Sequence, residues 1–170
     1  MKKYELTSET KVINGVELHR IKAIESFGNI KKGEFGGWIE SEKNLSQYGN
    51  AWVDDNAMVR GNAKVCDNAT VCGNAKVSGY AKVCDNATVC GNATISGDAT
   101  VRGKEDFIVF KNWWSSGRYF TWTRSNNKWK VGCFYGSGEE LIAKAYKDSK
   151  KSGREYERVV KYVNDILKEE

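Results

Sequence analysis

Arg118, Tyr119, Trp122, Arg124, Trp129 and Lys130 mix cations and aromatic rings in one short stretch of the chain. Guanidinium and ammonium groups hold phosphate through charge-assisted hydrogen bonds, and aromatic faces stack on planar rings. The mixture suits a planar anionic ligand such as a nucleotide, so these six residues form the candidate ligand-binding set. Packing is the competing reading. Strand alternation puts Tyr119, Thr121 and Thr123 on one face and Arg118, Phe120, Trp122 and Arg124 on the other, where rings would serve equally as core.

The single histidine, His19, stands between Leu18 and Arg20. Imidazole titrates near neutral pH and makes the commonest general base, so His19 is the catalytic candidate against a plain strand residue. Of five cysteines, Cys66, Cys72, Cys84 and Cys90 recur inside a repeat rather than in a disulfide-scaffold spacing. Zinc wants four convergent ligands and no histidine lies nearby, so no metal site is expected. Backbones one coil apart are close enough for a disulfide, but parallel outward vectors make its geometry poor. Semi-buried cysteines at a subunit interface are the expectation. Gly36-Gly37 lacks both a GxxxxGK pattern and a following helix, and reads as cap geometry rather than a phosphate loop.

The element that positions most of these residues is a repeat. From Asn50 to Gly103 the chain runs through nine hexads, with alanine at Ala51 to Ala99 and Val or Ile two residues later, from Val53 to Val101. Alanine and the β-branched residue share one face of a short strand, and the residue between them faces out. Asn, Asp and Gly then supply a corner. Three such sides make a coil of 18 residues, so the hexads give three coils of a parallel β-helix. One coil cannot bury its own apolar face; stacking makes the core. Outward residues stack at i and i+18. The face carrying Trp52, Thr70 and Thr88 with Cys72 and Cys90 is the least charged and is the expected subunit interface. A second carries Met58, Lys76 and Thr94 with Arg60, Ser78 and Ser96.

The expected organisation is an N-terminal cap with a hairpin at Asn14-Gly15 (1–49), the nine-hexad helix (50–103) and a β-β-β-α-α domain (104–170). In the last part, strands are expected around Phe107–Phe110, Arg118–Arg124 and Lys128–Phe134. Ser137-Gly138-Glu139-Glu140 and Ser152-Gly153-Arg154-Glu155 both read as capping boxes that open helices. Tyr156, Val159, Val160, Val163 and Leu167 then fall at helical spacing. The fold class is thus mainly β, a parallel β-helix with a small α+β C-terminal domain.

The net charge of +5 sits mostly in residues 104–170, which carry 14 basic and 10 acidic side chains. Any preference for an anionic partner is therefore expected in that part, but the excess is modest and interspersed with acids, so it reads as solubility rather than nucleic-acid binding. No apolar run approaches the roughly 20 residues that span a bilayer, and no signal peptide follows the basic start. A reducing, cytoplasmic compartment is the expectation.

The hexads resemble the hexapeptide-repeat acyltransferase superfamily. The block Leu18–Ile24, Phe35-Gly36-Gly37-Trp38-Ile39-Glu40 and Asn44-Leu45-Ser46 is similar to a poorly characterised bacterial and phage branch often labelled transferase. The resemblance implies a left-handed helix, assembly as a homotrimer, and an acyl-CoA or acyl-carrier protein bound between prisms with a histidine as base. The chain departs from that pattern, having no histidine in the repeats and no loop inserted between hexads. The expectation is therefore a trimeric, non-catalytic binding or scaffold protein without a cofactor, presenting its C-terminal site to a nucleotide-like anion or a host protein. The alternative is an acetyl-CoA-dependent acyltransferase using His19.

Overall fold

The computed structural model describes residues 1–170. Two long antiparallel strands, β1 (Tyr4–Ile13) and β2 (Val16–Ala23), meet at the expected Asn14-Gly15 turn and lead to β3 (Phe35–Ile39). Nine two-residue strands follow, one per hexad: β4 (Trp52–Val53), β5 (Met58–Val59), β6 (Lys64–Val65), β7 (Thr70–Val71), β8 (Lys76–Val77), β9 (Lys82–Val83), β10 (Thr88–Val89), β11 (Thr94–Ile95) and β12 (Thr100–Val101). They stack as three parallel sheets, β4-β7-β10, β5-β8-β11 and β6-β9-β12, in the i to i+18 register that the repeat predicts. The chain is a parallel β-helix of the left-handed hexapeptide-repeat kind.

Every alanine from Ala51 to Ala99 and every Val or Ile from Val53 to Val101 is buried in one continuous core. Each buried valine contributes about 1.5–3 kcal/mol against the entropy of ordering the chain. The sixth position of the first eight hexads is either Asp or Gly for one reason. Asp55, Gly61, Asp67, Gly73, Gly79, Asp85, Gly91 and Gly97 all have positive φ, which glycine adopts freely and Asp tolerates better than most residues. Asparagines at the first position form a ladder, with Asn50 donating to Asn68 at 3.0 Å and Asn68 to Asn86 at 3.3 Å.

The coil begins before the first hexad. Trp38 and Ile39 pair in parallel with Met58 and Val59, and Leu45 bridges Val65. The offset to the next coil is 20 residues on both sides of the 3-10 turn at Glu42–Asn44 and falls to 18 by Trp52, so the two extra residues lie between Leu45 and Trp52. Gly36 and Gly37 let β3 lie against the coil: a Cβ on Gly37 would stand 2.7 Å from the Ala57 carbonyl oxygen. The hairpin then extends this sheet as β1-β2-β3-β5-β8-β11.

Outside the two-residue strand pairs, the backbone hydrogen bonds between coils run from an amide of one coil to a carbonyl of the next, as from Trp52 to Ala69 and from Thr70 to Ala87. Among these bonds, the first coil is left with carbonyls to satisfy and the last coil with amides. At the N-terminal end, buried Lys3 donates to the carbonyls of Ala51 (2.8 Å) and Gly49 (3.1 Å), and Tyr4 Oη to that of Leu45 (2.7 Å). Asn44 Nδ2 donates to the carbonyls of Gly61 and Ala63. At the other end Thr121 Oγ1 accepts from the Thr94 amide (2.9 Å) and Ser125 Oγ from that of Thr100 (2.8 Å). The Asp106 carboxylate accepts from the amides of Arg102 (2.6 Å) and Gly103 (3.0 Å).

These acceptors come from the C-terminal domain, a four-stranded antiparallel sheet of β13 (Phe107–Lys111), β14 (Tyr119–Thr123), β15 (Lys128–Val131) and β16 (Phe134–Gly136). Four strands replace the expected three because Gly132, at φ 55°, reverses the chain within the segment read as one strand. One sheet face meets the β-helix core through Phe107 and Val109. The other packs Phe120, Trp122 and Trp129 beneath α1 (Gly138–Asp148) and α2 (Lys150–Lys168). The capping box at Ser137 and Glu140 forms as expected. The second box does not. Ser149, extended at ψ 156°, ends α1 and caps α2 by accepting from the Ser152 amide, so Ser152 and Gly153 lie buried inside the helix.

Candidate functional site

A concavity of about 670 Å³ lies where three separate segments converge. The hairpin contributes Ile13, Asn14 and Leu18; the outer face of β5-β8-β11 contributes Met58, Arg60, Lys76, Ser78, Thr94 and Ser96. The C-terminal sheet closes it with Arg118, Tyr119, Lys130, Gly132 and Cys133. Four of the lining residues are cations and none is a carboxylate. None of Arg60, Lys76, Arg118 and Lys130 makes an ion pair within the chain. The positive field extends to Lys11, whose ammonium sits 4.2 Å over the Trp38 ring. Burial lowers its pKa, and Arg20 and Lys76 lower it further.

The structure divides the six ligand-binding candidates, and Arg118, which precedes β14, does not follow the alternation that would place it with Trp122. Arg118, Tyr119 and Lys130 reach the cleft. Trp122 and Trp129 do not: both are almost fully buried in the core beneath the helices, and Trp122 Nε1 donates to Asn127 Oδ1 at 2.8 Å. Arg124 is held elsewhere, in an ion pair with Glu170 and a hydrogen bond to the Glu105 carbonyl. The packing reading therefore holds for the tryptophans, while Arg118, Tyr119 and Lys130 face the cleft. Arg60 and Lys76, which join them, stand in the second outward column of the repeat. Their stacking is visible in the hexads, but nothing in the hexads shows that the C-terminal domain folds over that column.

His19 pairs with Thr10 and Ile39 on β2 and lies on the opposite face of that strand from Leu18, which lines the cleft. It is absent from the cleft lining. Trp52, placed by the repeat on the outer face, is buried within the chain itself. Tyr4 and Phe27 pack edge-on against it, with centroids 6.4 Å and 5.5 Å away, because the N-terminal cap folds over that side. Thr70, Cys72, Thr88 and Cys90 stay at the surface of β7 and β10. Cys72 and Cys90 differ from the sequence expectation in one respect: their Cα atoms are 4.6 Å apart and their sulfurs meet as a disulfide. Adjacent coils thus fall inside the Cα spacing that a disulfide spans, as the backbone separation of one coil implies.

No protein-family profile matches the chain. A stretch of 67 residues is 37% identical to the "Uncharacterized acetyltransferase YdcK" of Escherichia coli (strain K12), covering 34% of this chain and 21% of that protein. The chain thus matches about a fifth of the length of that relative. No helix is long and apolar enough to cross a membrane.

Proposed function

We propose that the cleft between hairpin, β-helix and C-terminal sheet binds the phosphate-bearing end of acetyl-CoA, and that the protein works as an acyltransferase. The observation that carries this reading is the cleft's one-signed lining, four unpaired cations with no carboxylate. Such a lining attracts polyanions and repels cations, and its volume falls within the roughly 300–1,000 Å³ of small-molecule sites. Arg60, Lys76, Arg118 and Lys130 hold phosphate oxygens, and the half-exposed Tyr119 ring offers a stacking face for adenine. The similarity to a protein named as an acetyltransferase supports coenzyme A over other nucleotides. Assembly as a homotrimer belongs to the same proposal, with a neighbouring prism completing the acceptor side.

One observation favours a second reading, in which the cleft holds a nucleotide-like anion without turnover. His19, the sole histidine, is turned away from the cleft, and no imidazole or carboxylate lines it to take a proton from an acceptor. Calorimetry with acetyl-CoA, coenzyme A, ATP and ADP, with acetyl release measured alongside, separates the two. The acyltransferase reading expects acetyl-CoA to bind best. Arg118→Ala then weakens binding about tenfold or more, as loss of a charge-assisted hydrogen bond does. Tight nucleotide binding without acetyl release supports the second reading. Absence of binding to all four, or binding indifferent to both Arg118→Ala and Arg60→Ala, overturns both.

A further inference from the structure

Two cysteine pairs stack one coil apart on the β-helix, and their surroundings differ. Cys72 and Cys90 are each followed by glycine and their sulfurs meet. Cys66 and Cys84 are each followed by aspartate, and there the sulfurs share their space with a carboxylate. Cys66 Sγ, Cys84 Sγ and an Asp67 carboxylate oxygen all lie within 4.8 Å of one another. The Asp67 corner, at φ 59°, sets its carboxylate beside the cysteines, and its Oδ2 accepts from the Asp85 amide at 3.2 Å. The Asp85 carboxylate is drawn away toward Arg102, 3.8 Å off. One carboxylate is thus fixed onto the sulfur pair and the other is occupied elsewhere.

We infer that Cys66, Cys84 and Asp67 form a binding site for a thiophilic divalent metal ion of the zinc class, with solvent as the fourth ligand. Zinc–sulfur bonds of about 2.3 Å and zinc–oxygen bonds of about 2.0–2.2 Å set tetrahedral ligand atoms under about 4 Å apart. Side-chain rotation closes that remaining gap while the coils, fixed by their hydrogen-bond ladder, stay in place. On binding, both thiols release their protons to solvent and the two sulfurs donate as thiolates. The site lies on the face of β6 and β9, away from the cationic cleft, and does not depend on what the cleft binds.

Cadmium titration of the full chain, with thiols kept reduced by a phosphine, tests the site through the thiolate-to-cadmium absorption band. The Cys72→Ser/Cys90→Ser double variant removes the other stacked pair and is expected to retain the band at one ion per chain. Cys66→Ser in that background abolishes it. Asp67→Asn weakens cadmium affinity at least about tenfold, since even indirect partners of metal ligands cost that much. Cys133→Ser leaves it unchanged. Far-UV circular dichroism establishes that each variant is folded, and exposed Asp67 gives a substitution that leaves the core untouched. Three results overturn the site: no band in the double variant, a band that survives Cys66→Ser, or a Cys66–Cys84 cross-link in phosphine-reduced protein.

Discussion

The two ends of the β-helix solve opposite problems with opposite chemistry. At the N-terminal end the coil exposes carbonyls, and the cap meets them with donors: Lys3 Nζ, Tyr4 Oη and Asn44 Nδ2. At the C-terminal end the coil exposes amides, and Thr121, Ser125 and Asp106 meet them with acceptors. A parallel coil has a direction, because the backbone hydrogen bonds outside its strand pairs point the same way. The difference teaches that the caps are not interchangeable covers. Each is matched to the sign of the backbone dipoles it closes.

Substituting one capping group at each end turns that comparison into numbers. Lys3→Met is expected to have the largest effect, a loss of about 2–3 kcal/mol at pH 7 in denaturant unfolding, because several buried carbonyls lose their donor at once. An unchanged midpoint would mean that water serves that end as well as the ammonium does. Thr121→Val keeps the shape and removes one acceptor from the Thr94 amide. Its expected cost is about 1–2 kcal/mol, and a larger cost than that of Lys3→Met would reverse the ranking of the two ends.

The smallest effect is a pH dependence confined to the donor end. Burial lowers the Lys3 pKa to about 8, below its ordinary value of 10.5. Below pH 8 the folded chain must keep a buried charge. From pH 8 upward the unfolded chain holds more protons than the folded one, so stability rises through this group until the unfolded lysine also titrates. Between pH 8 and 9 the expected gain over Lys3→Met is about 1 kcal/mol, an order-of-magnitude figure from the linkage slope. Parallel pH profiles of the two proteins would show that the ammonium is not the titrating group. Burial likewise raises the Tyr4 pKa, which opposes this gain only in more alkaline solution.

Much of the fold is legible because it is local and repeated. The Ala and Val columns, the Asp or Gly corners and the Asn14-Gly15 turn each depend on residues close in sequence. The start of the coil at β3 is less legible, since its offset of 20 residues breaks the hexad phase. Within the C-terminal domain, Ser137 reads correctly as a cap and Ser152 does not. The capping-box pattern there is satisfied three residues earlier by Ser149, and Gly153 is needed inside the helix, where a Cβ would strike the Tyr146 ring. Of the six aromatic and basic candidates, alternation predicts that they divide between two faces. It does not say which face meets α1 and α2.

The sequence by itself determined the period, the core columns and the need for a cap at each end, because side-chain alternation and backbone sign are properties of neighbouring residues. Tertiary structure alone decided that Arg60 and Lys76 face Arg118 and Lys130 across one cleft, and that Trp52 lies under Tyr4 and Phe27. It also decided that Asp67 turns onto Cys66 and Cys84. Each of these contacts joins segments whose approach is set by how the caps dock onto the prism, and docking depends on the shape and polarity of whole surfaces rather than on any spacing along the chain.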